Sequence, residues 1–209
     1  MYRKFLKRCL DLFLSLVVLN VLSPVFLVMI LLGAIFMGGN PFYTQARPGK
    51  NGKIFRLIKF RSMTNRKDSQ GKLLPDAQRV TGYGRFIRAA SLDELPEFLN
   101  IFIGDMAFIG PRPLLEEYLP YYTPEEMRRH EVLPGLTGLA QVSGRNGLSW
   151  EERFRLDVQY VDHLSFLLDV KIVFLTIKAV LCRSGVQVDT SKEEGNFAQI
   201  RKAQLQEKR

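Results

Sequence analysis

LFLSLVVLNVLSPVFLVMILLGAIFM, residues 12–37, carries no charged side chain, and Ser23-Pro24 stands near its middle. Arg3, Lys4, Lys7 and Arg8 precede it. A secretory leader does not fit, because the run is about twice the length of a leader core and no small-x-small cleavage site follows it. At 1.5 Å per residue, about 26 residues give roughly 39 Å, enough to cross a hydrocarbon core of ~30 Å as one helix. Two features point instead to a helix that enters the bilayer and returns. Proline removes an intrahelical hydrogen bond and clashes with the preceding turn, and the Ser23 hydroxyl can bond a nearby carbonyl and help set the bend. Each arm, 9–22 and 25–37, is then about 20 Å long, too short to cross. Beyond Met37, the cations Arg47, Lys50, Lys53, Arg56, Lys59, Arg61, Arg66 and Lys67 all come before the first acid, Asp68. Both flanks are basic, so the positive-inside rule keeps both in the cytoplasm. A re-entrant helix-break-helix meets both observations. A spanning helix is the alternative, since prolines occur in spanning helices too.

Outward from this run, the chain reads as a soluble basic protein. Its 209 residues, 46% of them hydrophobic, suffice for one ordinary core and one main domain. The net charge of +9 admits nucleic acid, an anionic membrane surface or phosphorylated small molecules as partners. Cys9 and Cys182 show neither metal-ligand spacing nor a disulfide framework, which suits a reducing compartment. His130 and His163 stand alone, which speaks against a histidine-ligated metal. Gly38-Gly39-Asn40-Pro41 ends the apolar run as a turn. Residues 53–61 read as a strand and 65–78 as a loop. Helices follow over 84–89 and 93–103, the second stopped by Gly104. Thr123-Pro124-Glu125-Glu126 and Ser149-Trp150-Glu151-Glu152 are capping boxes that open two more, the latter running to about Val161. Residues 169–181 are helical and apolar enough for the core or a bilayer surface, and the tail from Gly185 is polar and loosely ordered. The expected fold is α+β and predominantly helical, a monotopic membrane protein. It divides into a re-entrant hairpin over 1–38, a cytoplasmic catalytic domain over 39–185 and a polar tail over 186–209.

Three constellations can carry chemistry. In Ser91-Leu92-Asp93-Glu94-Leu95-Pro96, Ser91 and Glu94 have capping-box spacing, which is explanation enough for both. Pro96 is best tolerated in a first helical turn, and that moves the cap toward Asp93. Two adjacent carboxylates would then sit at a positive helix end, where an ionised aspartate can attack phosphorus and its neighbour can handle a proton or help hold Mg²⁺. In Gly110-Pro111-Arg112-Pro113, two prolines hold one arginine extended, suited to bidentate phosphate recognition or simply to a stiff exposed turn. The glycines of the 134–146 stretch permit close approach of a ligand, with Arg145 able to meet a diphosphate; a glycine-punctuated strand and turn explains them equally.

In order, the apolar hairpin, Lys59-Phe60-Arg61-Ser62-Met63, the Asp-Glu pair, Gly104-Asp105-Met106, the Pro-Arg-Pro motif and the glycine-bearing Pro134–Arg145 run resemble the bacterial sugar transferases, the monotopic phosphoglycosyl transferases. The likeness covers nearly all of 1–185, and in length it is most similar to the members that start the glycan of bacterial protein N-glycosylation. It implies transfer of a sugar 1-phosphate from a UDP-sugar to undecaprenyl phosphate, releasing UMP, with Mg²⁺. The implied donors are UDP-N,N'-diacetylbacillosamine or a UDP-N-acetylhexosamine. Asp93 is the implied nucleophile and metal ligand, and Glu94 assists. Lys59, Arg88, Arg112 and Arg145 form the phosphate-binding set, and Ser23 and Pro24 the membrane break. The implied place is the cytoplasmic face of the bacterial inner membrane, against anionic lipids, with no nucleic acid partner. The family's usual arginine before Pro134 is Leu133 here, and Ser143 stands where asparagine is common, so one anion contact is in doubt. A non-catalytic lipid- or nucleic-acid-binding adaptor would share the charge and the hairpin, but not paired carboxylates among phosphate-type arginines. A pure nucleic-acid binder should also interleave exposed aromatics with its cations.

Overall fold

The computed structural model describes residues 1–144, 147–182 and 195–207. A π-helical turn, Tyr2–Leu6, leads into α1 (Lys7–Val21), α2 (Ser23–Met37), β1 (Phe42–Pro48), β2 (Ile54–Phe60), α3 (Asp76–Arg79), α4 (Gly82–Ala89) and α5 (Glu97–Ile103). Then come β3 (Ala107–Ile109), α6 (Pro124–Met127), β4 (Gly135–Thr137), α7 (Leu139–Ser143), α8 (Trp150–Asp162), α9 (Phe166–Leu181) and α10 (Phe197–Glu207). Among the described residues the chain is therefore mostly helical, with two two-stranded sheets, β1-β2 and β3-β4. Hydropathy divides the chain by where water is tolerated. Compactness divides it differently, into one unit of Met1–Phe13, Ala46–Phe55 and Ile101–Arg209 and a second of Leu14–Gln45 and Arg56–Asn100.

In the second unit, the apolar run breaks where the proline predicts. Helix α1 ends at Val21, α2 starts at Ser23 with proline in its first turn, and the two axes bend by 64°. The Ser23 hydroxyl donates to the Asn20 carbonyl at 2.7 Å, one of the acceptors a helix end leaves unused. Gly38, at φ 66°, stops α2 in the left-handed conformation that glycine adopts without a Cβ clash. Among the described residues, no single helix is long and apolar enough to cross a membrane. Leu27, Val28, Leu31 and Ile35 of α2 are exposed, while Met29 packs with Phe60 and Ile87 in a small core. The loop expected over 65–78 is mostly irregular, pinned by a Lys67–Leu73 bridge and running into α3.

Two apolar clusters stand out among the described residues of the first unit. One gathers Ile109, Val132, Tyr160, Val161 and Ile172; the other is aromatic, with Leu114, Tyr118, Trp150, Phe154 and Phe197. Helix α8 serves both. Half of its expected capping box forms, Ser149 accepting from the Glu152 N–H while the Glu152 carboxylate takes Arg155, and the Thr123/Glu126 capping box of α6 is complete. The expectation of a loosely ordered polar tail needs correction. Asn196 Oδ1 accepts from the Ala198 N–H at 2.9 Å and opens α10, whose Phe197 is 1% exposed. Phe197 packs among the Tyr118, Tyr122, Trp150 and Phe154 rings, and Arg201 pairs with Glu126 at 2.6 Å, so the short polar helix is docked by both. Residues 185–194 and 208–209 of that tail lie outside the described residues.

Two glycines of the 134–146 stretch, Gly135 and Gly138, are explained by backbone packing. β3 pairs parallel with β4, Ala107 opposite Gly135 and Ile109 opposite Thr137. The Gly110 N–H donates to Thr137 O at 2.9 Å and the Gly135 N–H to Pro111 O at 3.0 Å. A Cβ on Gly135 would land on the Gly110 nitrogen, and one on Gly138 on the Gly110 carbonyl. These glycines let backbone meet backbone. Gly135→Ala should therefore lower stability by ~3 kcal/mol, in the overpacking range, whereas Gly147→Ala, with nothing within 4 Å, should be nearly neutral. Thermal melts of the two variants in detergent check this.

Candidate active site

Lys59 lies near the end of β2, two residues beyond the buried Leu57 and so on its face, and next to Phe60, which is buried on the other face. Its ammonium reaches Glu94 Oε1 at 2.9 Å and Glu97 Oε1 at 3.0 Å. The Glu97 side chain is 3% exposed and those of Lys59 and Glu94 about a fifth to a quarter. The strand is fixed against α5 by Asn100, fully buried, which accepts from the Ile58 N–H at 3.0 Å and donates to Arg56 O at 2.8 Å. Arg88, in the last turn of α4, donates from Nε to Ser62 Oγ at 2.8 Å and from Nη2 to Met63 Sδ at 2.9 Å. Helix α4 is capped by Thr81 and presses on the Ser62 carbonyl so closely that a Cβ on Gly84 would land on it.

The Asp-Glu pair is not at the start of a long helix, and this corrects the expected element over 93–103. Ser91 adopts a left-handed conformation at φ 53°, and its side chain caps nothing. Leu92–Glu94 then form one 3₁₀ turn, and α5 begins only after Pro96. A non-glycine residue at positive φ is strained, and such strain gathers where a side chain must be aimed. Burial, and next the Glu94 carboxylate, raise the Asp93 carboxyl above the ordinary aspartate range, while Lys59 and Arg88 pull it back down. Asp93, Glu94, Lys59 and Arg88 thus belong to one electrostatic group in the second unit. Glu97 and Asn100 are the members that the sequence reading missed. A buried acid one residue past Pro96 reads as an ordinary first-turn glutamate, and no local pattern announces its partner.

Arg112 belongs to the first unit, half-buried between the buried prolines Pro111 and Pro113. Arg145 lies outside the described residues. Ser23 and Pro24 form the helix break. A cavity of about 420 Å³ in the first unit, lined by Thr123, Glu126, Phe154, Val158 and His163 among others, contains none of the assigned residues.

A strand-borne lysine, a strained Asp-Glu turn and an arginine-bearing Pro-Arg-Pro turn, behind a bent apolar helix pair, are the marks of a bacterial sugar transferase. Residues 2–183 match that family, and the chain belongs to it. It is 51% identical over 182 residues to the uncharacterized sugar transferase EpsL of Bacillus subtilis, covering 87% of this chain and 90% of that one. It is 39% identical over 196 residues to the exopolysaccharide production protein ExoY of Rhizobium meliloti, covering 86% and 87%. With the undecaprenyl-phosphate galactose phosphotransferase of Salmonella typhimurium it shares 37% over 199 residues, 87% of this chain but 42% of that longer protein.

The charges around Asp93 set the pH dependence of any reaction needing its carboxylate ionised. Activity should fall on the acid side at a pH above the ordinary aspartate range. Lys59→Met removes a cation that favours the ionised form, so the acid limb of kcat/KM should move to higher pH. Glu94→Gln removes the repulsion and should move it lower. Opposite displacements in pH–rate profiles of the two variants are the expected result.

Proposed function

We propose that the chain transfers a sugar 1-phosphate from a UDP-sugar to undecaprenyl phosphate, with Asp93 as the nucleophile. The observation that carries this is the adjacent Asp93-Glu94 pair, its Asp93 carboxyl desolvated beside Glu94 and acted on by Lys59 and Arg88, in a member of the sugar transferase family. Relatives named as an undecaprenyl-phosphate galactose phosphotransferase and a UDP-glucose:undecaprenyl-phosphate glucose-1-phosphate transferase support the donor and acceptor classes. The relatives covered over most of their length include proteins named for exopolysaccharide production, which favours a polysaccharide over a glycoprotein as the destination of the sugar.

In the proposed first step, an Asp93 carboxylate oxygen attacks the phosphorus that bears the sugar. The bond from that phosphorus to the bridging diphosphate oxygen breaks, and UMP leaves with that oxygen. In the second, an oxygen of undecaprenyl phosphate attacks the same phosphorus, expels the Asp93 carboxylate and forms the lipid diphosphate sugar. Glu94 takes the proton that the acceptor phosphate gives up. The sugar's own C1–O bond is never broken. Lys59 and Arg88 hold the diphosphate's charge in place, so that positioning and electrostatics carry most of the acceleration.

Mg²⁺ suits this donor set. Among the described residues no group of three or more His, Cys, Asp or Glu could hold a metal unaided. Mg²⁺ characteristically binds one or two carboxylates together with substrate phosphates. Burial, and next the Glu94 carboxylate, disfavour the ionised Asp93, and a bound cation would offset both. Asp93, with Glu94, would hold the ion, which would neutralise charge on the diphosphate.

Incubation with UDP-galactose, UDP-glucose or a UDP-N-acetylhexosamine, without acceptor, should release UMP and add the mass of one phosphosugar to the peptide containing Asp93. Asp93→Asn should fold and lose turnover by ~10³-fold or more. Release of UDP, or of no UMP until acceptor is added, would sink the covalent route.

The same proposal places the chain at the cytoplasmic face of the bacterial inner membrane, among anionic lipids. The bend at Ser23-Pro24, the exposed apolar side chains of α2 and the basic flanks support a re-entrant hairpin. With Cys9 and Cys182 replaced by serine, single cysteines at Tyr2 and at Ser69 should both be shielded from an impermeant reagent in intact cells. Labelling of one alone would mean a spanning helix.

A further inference from the structure

We propose that Arg129, held by Asp157, is a positioning residue that aims the Arg112 side chain by clamping its backbone carbonyl. The inference rests on the reading of Arg112 as a ligand for a substrate phosphate.

Proline fixes φ at residues 111 and 113 and provides no N–H there, and a residue before proline is confined to extended conformations. What is left for Arg112 is the orientation of its own peptide, and hence of its Cα–Cβ direction. Arg129 supplies a donor that holds that orientation. Arg129 Nη2 donates to Arg112 O at 2.7 Å. The same guanidinium donates to Asp157 Oδ2 from Nε at 3.0 Å and from Nη2 at 2.8 Å. Arg129 and Asp157 are each 2% exposed. Around them stand the Tyr122 and Phe154 rings, 5.9 and 5.7 Å from the guanidinium carbon.

Donors also hold the carbonyls on either side. Tyr160 Oη lies 3.1 Å from Ile109 O and 2.8 Å from Asp169 Oδ1, its one proton shared between these acceptors. Arg47 Nη1 donates to Pro113 O at 3.3 Å. Pro111 O is taken by the Gly135 N–H. The carbonyls of Ile109, Pro111, Arg112 and Pro113 are thus each held by a donor, and the deeply buried Arg129–Asp157 pair is spent on Arg112.

A fully buried ion pair is a poor device for stability alone, because apolar residues of similar volume fill such a site as well or better. What they cannot supply is a rigid donor pointing at one carbonyl. Planar geometry and several N–H groups let one arginine bind its aspartate and still donate elsewhere.

The test uses the full-length enzyme in detergent or lipid nanodiscs, with Tm and with kcat and KM for the UDP-sugar that the wild type turns over. Arg129→Met with Asp157→Leu removes the clamp without stranding a charge. Its Tm should stay within a few degrees of wild type while kcat/KM falls on the order of 10- to 100-fold, as in Arg112→Lys. In the triple variant the losses should not multiply, because both act through the same guanidinium. If the double variant is unstable, Arg129→Lys, which keeps the charge on Asp157 but loses the planar donor set, should show the kinetic loss at near wild-type Tm. Wild-type kinetics in whichever of these variants folds, with Arg112→Lys impaired, would overturn the clamp alone. Losses that multiply in the triple variant would overturn it as well. Wild-type kinetics in Arg112→Lys would overturn the phosphate reading on which it rests.

Discussion

A carboxylate taken out of water must be met by a cation or by several hydrogen-bond donors, and the buried acids here organise the chain around that demand. Glu97 takes Lys59, which keeps enough reach to hold Glu94 as well, so one ammonium joins β2 to both ends of the Asp-Glu-Leu-Pro-Glu turn. Asp169 collects the Tyr2 hydroxyl at 2.5 Å, the Lys7 ammonium at 2.8 Å and Tyr160, fastening the N-terminal turn to α8 and α9. Asp11 accepts the Phe108 N–H at 3.0 Å, and Asp157 takes Arg129. Each acid sits on a helix and reaches a residue far away in sequence. Packing decides where these helices can lie, and charge compensation decides in which register.

Asp93 is treated differently, and the difference is chemically useful. Its carboxyl is raised by burial and by Glu94, with Lys59 and Arg88 opposing from their own hydrogen-bonded positions. A carboxylate fully neutralised by a bidentate arginine would be easy to bury and poor at attacking phosphorus. One that is partly desolvated, adjacent to a second carboxylate and held on a strained turn keeps its basicity. The positive φ of Ser91 is the local cost of that placement, sustained by the packing of Leu92 and Leu95 on the Phe60–Ile87 core.

Proline and glycine act as a matched set in the first unit. Pro111 and Pro113 remove freedom and donors from the Arg112 turn, while Gly110, Gly135 and Gly138 remove the Cβ atoms that would keep β3 and β4 apart. Gly135 and Gly138 of the glycine-bearing stretch are therefore explained here by backbone packing. They bring a second segment of backbone against the Pro-Arg-Pro turn, with Tyr160, Arg129 and Arg47 completing the frame.

What the sequence by itself determined lies within a turn of chain. The break at Ser23-Pro24, the glycine stop after Met37, the capping box at Thr123 and the cap at Ser149 depend on bonds made over a few residues, so their patterns survive in one dimension. Asp93, Glu94, Lys59 and Arg88 were legible as a set because their motifs keep a fixed order. Tertiary structure alone decided which charges are buried. Glu97, Arg129, Asp157 and Asp169 look like ordinary residues of helices and turns until a partner up to 167 positions away excludes water from them. It also decided that Phe197 docks the tail and that the glycines face backbone, because a side chain's neighbours across a core are set by how helices pack, and spacing along the chain does not record that.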